Sequence, residues 1–174
     1  MEIITAPAVV EKPDRHYAGI RVTTPFRGMF AVRDELMKEL YAYDVGTGRT
    51  FFRLHVVDMD GPMDIEVGVV TERPFPAAGR IRPGVLPAGR YATMTYVGHG
   101  RRANGTLIDW IRAHELAMDV AEDPAGDRFG CRYEEYLTDP RTERMKTRWQ
   151  IELGIRLAGA SADRSHRDST IRIL

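Results

Sequence analysis

Apolar residues in the first half of the chain recur with two different periods. Met29, Leu36 and Leu40 belong to a stripe with three- and four-residue spacing, which predicts an amphipathic helix whose charged residues, Arg33 among them, face solvent. Alternating or continuous apolar segments on either side predict strands, the first of them interrupted near Pro13. The predicted elements are a strand at 8–22, a helix at 28–43 and two strands, close enough to form a hairpin, at 51–57 and 63–70.

The second half repeats the order strand, helix, strand, strand. Its predicted elements are a strand at 90–97, a helix at 101–118 and strands at 131–138 and 148–157. One local echo links the halves, because IEVGV at 65–69 returns as IELGI at 151–155.

The predicted fold is therefore α+β, with two pseudo-symmetric β-α-β-β repeats that form antiparallel sheets, one long helix each, and a ligand cleft between the halves. It would form a single domain over 1–157. The repeats span about 8–70 and 90–157, and a connector rich in proline and glycine joins them at 71–89. The polar segment 158–174 is predicted to be a mobile tail.

The amino-acid composition narrows the classes of partner expected for the protein. The 174 residues carry a formal net charge of zero, so no global field favours nucleic acid or an anionic membrane, and we expect neither as a partner. No apolar run approaches the roughly 20 residues that span a bilayer, and the N-terminus does not resemble a secretion signal. Cys131 is the only cysteine, which excludes an internal disulfide and suits a reducing cytoplasm. The oligomeric state stays open.

The sequence offers no recognisable metal or cofactor site. The five histidines are scattered, and His114-Glu115 lacks the second histidine of a zinc-binding helix. The segment GHGRRA at 98–103 matches a glycine-rich nucleotide loop. Hairpin strands follow it where a parallel βαβ unit would be required, so we expect no dinucleotide there. We therefore expect no cofactor and no bound metal.

The strand at 131–138 carries the strongest candidate chemistry. Its alternation places Arg132, Glu134 and Tyr136 on one face and Tyr133 and Glu135 on the other. A carboxylate in an apolar pocket can attract a delocalised cation stacked on aromatic rings, or it can act as a general acid or base on water. The alternative is a surface carboxylate paired with Arg132.

Other side chains are weaker candidates for the same site. Tyr136 shares the face of Glu134 and is a candidate for hydrogen bonding to a ligand, although a core tyrosine is nearly as reasonable. Glu66 and Glu152 occupy equivalent positions of the two repeats, where each either reaches the cavity mouth or meets solvent. The aromatic candidates for stacking on a flat ligand, each also explicable as packing, are Trp110, Trp149 and Tyr96.

Four segments together resemble a known family. They are MDIEVGVV at 63–70, PAGRYA at 87–92 leading to YVG at 96–98, YEEYLTDP at 133–140, and 149–157. In order and spacing they resemble the GyrI-like small-molecule-binding domains, duplicated strand–helix–strand–strand modules also fused to AraC-type and MerR-type multidrug regulators. The resemblance implies a pocket between the halves with a glutamate, Glu134 by motif, facing aromatic or cationic ligands. Glu135 stands where an apolar residue is commoner, so which of the two acids faces the cavity stays open.

The resemblance also bears on function. Some stand-alone members that resemble this chain hydrolyse strained cyclopropane-containing natural products, and others only bind ligands. The first hypothesis is thus a hydrolase, acting in detoxification or self-resistance, in which Glu134, helped by Tyr136 and a tryptophan, directs water onto a flat hydrophobic electrophile. The second is a non-catalytic protein that sequesters a drug or senses an effector. A third, more distant hypothesis is inhibition of a partner enzyme through an exposed edge or an acidic surface.

Overall fold

The computed structural model describes residues 1–159. In chain order, its elements are β1 (Glu2–Lys12), β2 (Arg15–Pro25), α1 (Met29–Tyr41), β3 (Thr50–Val57), β4 (Pro62–Val70), β5 (Arg82–Leu86), β6 (Gly89–Val97), α2 (Gly100–Ala113), β7 (Val120–Asp123), β8 (Gly126–Phe129), β9 (Arg132–Tyr136), a short 3-10 helix (Lys146–Arg148) and β10 (Gln150–Arg156). The C-terminal segment predicted to be mobile lies, from residue 160 onward, outside these described residues.

The strands build one antiparallel sheet in the order β1-β6-β10-β9-β3-β4-β2-β5, with the β7-β8 hairpin attached to β3. Strands β2, β4 and β3 belong to the first repeat, and β6, β10 and β9 to the second. The repeats meet where β9 pairs with β3 and Glu134 lies opposite Phe52. The predicted α+β fold with two related halves is confirmed, and the sheets of the two halves join edge to edge into one.

The two faces of this sheet explain the residue types of the IExGx segment that occurs in both repeats. Ile65, Val67 and Val69 are fully buried in the core that also holds apolar residues of both helices, because alternate side chains of a strand share a face. The glutamate and glycine of each segment point to the opposite face. There Gly68 leaves room for the ring of Phe51 on β3, and Gly154 does the same for Tyr133 on β9. A side chain at either glycine would collide with the neighbouring ring.

Four boundaries differ from the prediction. The strand predicted at 8–22 is two strands, because Pro13 and Asp14 interrupt it, and its first part pairs with β6 at the sheet edge. The predicted connector contains β5, which pairs with β2. The β7-β8 hairpin, with its turn at 123–126, was not predicted. Helix α2 ends at Ala113 instead of residue 118, and the left-handed φ of 53° at Glu115 prevents its continuation.

Candidate functional site

A pocket of about 450 Å³ lies between the first turns of the two helices, above the strands where the repeats meet. Pockets of this size accommodate drug-sized molecules. Its walls are largely apolar and aromatic, and they include residues from both repeats. The lining residues are Phe26, Met29, Phe30, Arg33, Phe52, Leu54, Tyr96, Gly98, His99, Gly100, Arg101, Asn104, Glu134, Lys146, Trp149 and Ile151.

Glu134 is the acidic residue among the lining residues within the described 1–159. It lies in the middle of β9, between Phe52 of β3 and Leu153 of β10, and its side chain is only 8% exposed. Burial raises the pKa of its carboxyl group, although Arg33, Asn104 and Arg132 partly oppose the shift. The carboxylate is therefore a stronger base than an exposed glutamate.

Asn104 holds this carboxyl group in place. From the second turn of α2, its side-chain amide donates hydrogen bonds to Glu134 Oε1 at 3.3 Å and to the Gly100 carbonyl at 3.1 Å. Its Oδ1 accepts a hydrogen bond from Arg132 Nη2 at 2.9 Å. The amide thus stands between the buried acid and a buried guanidinium group, whose pKa burial lowers to about 10. The direct Arg132–Glu134 pairing of the surface alternative is replaced by this bridge.

The Tyr96 hydroxyl group lies on the same side of the pocket as the carboxylate. A Cβ atom at Gly100 would stand 3.0 Å from the Tyr96 hydroxyl oxygen and 3.8 Å from Glu134 Oε1, so the glycine allows the helix to approach both groups. Burial, and then the neighbouring Glu134, raise the pKa of Tyr96. Its phenol is therefore a persistent hydrogen-bond donor.

Arg33 of α1 also lines the pocket. Its guanidinium carbon lies 5.0 Å from the ring centre of Phe30 and 5.9 Å from those of Phe52 and Tyr136, distances typical of cation–π contacts. It donates hydrogen bonds to the Tyr136 hydroxyl at 3.3 Å and to Asp34 at 2.8 Å. The residue predicted to face solvent is only 7% exposed, and that prediction is wrong.

The pocket mouth is basic. Arg101, at the start of α2, is exposed, and the half-exposed Lys146 forms an ion pair with Asp34. His99 caps α2, because its Nδ1 accepts a hydrogen bond from the Arg102 amide at 3.4 Å. Two cationic side chains therefore lie at the solvent-exposed part of the lining, whereas the acid of the pocket is buried.

The structure brings together only part of the predicted site. Glu134, Tyr96 and Trp149 line the pocket. Tyr136 is buried beside it, with its ring 5.1 Å from that of Trp149, and does not belong to the lining. Trp110 stacks on His114, the residue that follows α2, at 4.2 Å and is not among the lining residues.

The other glutamates considered for the site occupy the opposite face of the sheet. Glu66 accepts one hydrogen bond from Tyr17 and contacts His55, whereas Glu152 binds Lys12. Neither reaches the pocket. Successive side chains of a strand point to opposite faces of the sheet, and the aliphatic residues beside each glutamate occupy the face on which the pocket lies. Glu135 lies on the same face as Glu66 and Glu152, so Glu134 is the acid that faces the cavity.

Sequence reasoning missed Arg33 and Asn104. A signal existed for Asn104, since asparagine is unfavourable in the interior of a helix and this one lies among apolar neighbours in α2. For Arg33 the helical stripe was misleading, because a long cationic side chain at the edge of an apolar face can turn inward where aromatic rings receive it.

Two negative observations concern the described residues alone. Within 1–159, no group of three or more histidine, cysteine or acidic side chains is arranged to hold a metal ion. Neither helix of that part of the chain is long and apolar enough to cross a membrane.

Comparison with known proteins adds a family and a set of related folds. A family model described as GyrI-like small molecule binding domain matches residues 5–158. No curated protein matches in sequence.

Solved structures resemble the chain at low identity. The C-terminal domain of EcmrR is 17% identical with a TM-score of 0.66, over 89% of this chain and 98% of that one. SAV2435 bound to tetraphenylphosphonium is 12% identical with a TM-score of 0.56, over 95% and 99% of the respective chains. A hydrolase from Listeria innocua is 12% identical with a TM-score of 0.54, over 87% and 91%. At such identities these similarities establish the fold alone.

Proposed function

Because the chain belongs to the GyrI-like small-molecule-binding family, we propose that its pocket binds a flat hydrophobic molecule and adds water to a reactive electrophile such as a conjugated cyclopropane. The observation that carries this proposal is the buried Glu134 carboxylate, whose pKa is raised, at the floor of an aromatic pocket. One structural relative described as a hydrolase is consistent with it.

The chemistry needs few groups. Glu134 accepts a proton from a water molecule, whose oxygen forms a bond to the ring CH₂ carbon while the strained carbon–carbon bond breaks. The released electron pair moves to the conjugated carbonyl oxygen, which becomes an enolate and takes up a proton. Tyr96 donates a hydrogen bond to this oxygen. Glu134 then releases its proton, and the product is the substrate plus one water.

Neighbouring residues support these steps by position. Trp149 supplies an aromatic surface for a flat ligand, and its indole nitrogen donates a hydrogen bond to the Glu143 carbonyl at 2.8 Å, which holds the ring in place. Tyr136, proposed from the sequence as a catalytic residue, acts in this scheme as a positioning residue, because its hydroxyl accepts a hydrogen bond from Arg33.

The test incubates the protein with a spirocyclopropyl cyclohexadienone fused to an aromatic ring and follows the compound by mass spectrometry. We expect a product one water heavier with the unaltered protein, and a rate about 10²- to 10⁴-fold lower with Glu134→Gln. Glu35→Gln, the same change at an exposed position of α1, is the matched control and should retain full activity.

The alternative is non-catalytic binding, as for an effector-sensing or drug-sequestering protein. It predicts that the compound binds, as measured by quenching of tryptophan fluorescence, and stays intact after long incubation. Full hydrolysis by Glu134→Gln would contradict the proposed role of this carboxylate, and absence of binding would contradict the pocket as the functional site.

A further inference from the structure

The aromatic side of the pocket already contains a cation. The guanidinium group of Arg33 lies within 6 Å of the rings of Phe30, Phe52 and Tyr136, and its charge interacts with Glu134. Aromatic faces together with a carboxylate are the groups that bind a lipophilic cation. Arg33 thus makes the contacts that such a ligand would need.

The charges around the pocket also oppose a second cation. Arg33, Arg101 and Lys146 are basic lining residues, whereas Glu134 is the acidic one among lining residues of the described chain. Asp34 neutralises part of this charge at the mouth, through its ion pairs with Arg33 and Lys146. The balance remains positive, and like charges repel more strongly in a desolvated pocket than in water.

A further positive charge lies behind the carboxylate. Arg132 is 2% exposed, and its Nε and Nη1 have no hydrogen-bond partner within the described residues. Its one side-chain hydrogen bond there goes to Asn104, the residue that also binds Glu134. The field at the carboxylate is therefore set by two buried guanidinium groups.

We propose that Arg33 determines ligand specificity: as an internal cation in the aromatic wall, it makes the pocket select flat neutral or anionic molecules and reject lipophilic cations. The inference rests on the proposed small-molecule-binding function and names the charge class of the ligand. It also predicts that removal of this one side chain reverses the preference.

A matched pair of probes tests the charge preference. Tetraphenylborate and tetraphenylphosphonium have nearly the same size and shape and opposite charges. Titration of the unaltered protein, followed by tryptophan fluorescence, should show borate binding about tenfold more tightly, since a difference of about 1.4 kcal/mol is modest for one charge near a partly desolvated cation.

The variant Arg33→Met provides a gain-of-function test. Methionine keeps an unbranched side chain but removes the charge, so the aromatic rings and Glu134 become available to a cation. We expect phosphonium to bind this variant about tenfold more tightly than it binds the unaltered protein, and borate to bind it more weakly. Arg90→Met removes the same charge at an exposed position at the start of β6, away from the pocket, and should leave both affinities unchanged.

The outcomes separate the two proposals. Phosphonium binding to the unaltered protein as tightly as borate does would overturn the specificity inference and leave the binding function standing. An unchanged ratio of the two affinities in Arg33→Met would also overturn it. Failure of both probes to bind the unaltered protein would overturn the inference alone if the spirocyclopropyl compound still binds, and would contradict the binding function too if that compound also fails to bind.

Discussion

Two adjacent glutamates, on opposite faces of one strand, have opposite environments. Glu134 faces the helices, where its hydrogen-bond partner is the neutral amide of Asn104 at 3.3 Å. Glu135 faces the other side, where both of its oxygens accept hydrogen bonds from Arg15 Nη1 at 2.9 Å. Both residues are buried. The difference lies in pairing, since Glu135 forms a direct ion pair with Arg15, whereas Glu134 has, among the described residues, no direct ion pair and only the neutral amide as its hydrogen-bond partner.

The same contrast holds for the two faces as a whole. On the face of Glu135, Glu66 contacts Tyr17 and His55, and Glu152 binds Lys12 at 2.7 Å. These are structural contacts, because each acid is matched with a donor. On the helix face the acid without a direct cationic partner adjoins an open cavity, an arrangement that costs stability and is typical of functional sites.

The largest expected effect on stability comes from breaking the Arg15–Glu135 ion pair. This pair lies on the face of Glu135, which we call the structural face. Glu135→Gln leaves Arg15 without a counter-charge in a mostly buried position, where the side chains are 22% and 3% exposed for the arginine and the glutamate. We expect the free energy of unfolding to fall by about 2 kcal/mol, as measured by urea denaturation.

This loss of stability should not be accompanied by a loss of ligand binding. Glu135→Gln, at a temperature where it is fully folded, should bind tetraphenylborate as the unaltered protein does. A large change in affinity without a loss of stability would contradict the assignment of a structural role to one face of the sheet and a binding role to the other.

A smaller effect is expected in the pH dependence of stability. The pKa of Glu134 is raised above its ordinary value of 4.5 in the folded protein, so above that pH the unfolded chain releases this proton before the folded one does. The contribution of protonated Glu134 to the free energy of unfolding is fully present below pH 4.5 and is lost as the pH rises through its pKa in the folded protein. Within that window the free energy of unfolding should fall by up to about 1.4 kcal/mol per pH unit.

The measurement compares the unaltered protein with Glu134→Gln by urea denaturation at several pH values from 4 to 8, values chosen to bracket the ordinary carboxyl range of about 4. Because the variant lacks the titrating group, the difference between the two proteins isolates it. The unaltered protein should lose stability relative to the variant as the pH increases. A difference that is constant over this range would show that burial does not shift this carboxyl group.

The smallest expected effect concerns Glu152, which the sequence placed among the ligand-binding candidates. Its ion pair with Lys12 is partly exposed, with the two side chains 21% and 18% accessible, and such pairs contribute little. Glu152→Gln should therefore lower the free energy of unfolding by about 0.5 kcal/mol and leave ligand affinity unchanged. A marked loss of affinity would place a second binding surface on the structural face.

Much of the fold follows from local patterns. The stripe around Leu36 and Leu40 predicted α1, and the repeated IExGx segment predicted two equivalent strands whose aliphatic residues share one face. The hairpin at 120–129 was missed, because its two four-residue strands are too short and polar for alternation to be visible. Strand β1 was also shortened in the prediction, since it is largely exposed and needs no regular apolar face.

The chain by itself determined the strand–helix–strand–strand order within each half, the duplication, the family resemblance and the position of an acid within a strand motif, because each depends on residues close in sequence. Only the tertiary structure decided that Glu134 faces the cavity and Glu135 does not, that Arg33 turns inward onto three aromatic rings, and that Asn104 joins an acid to a buried guanidinium group. These outcomes depend on which faces of distant elements meet. The burial and charge that set the chemistry of a carboxyl group arise from those contacts.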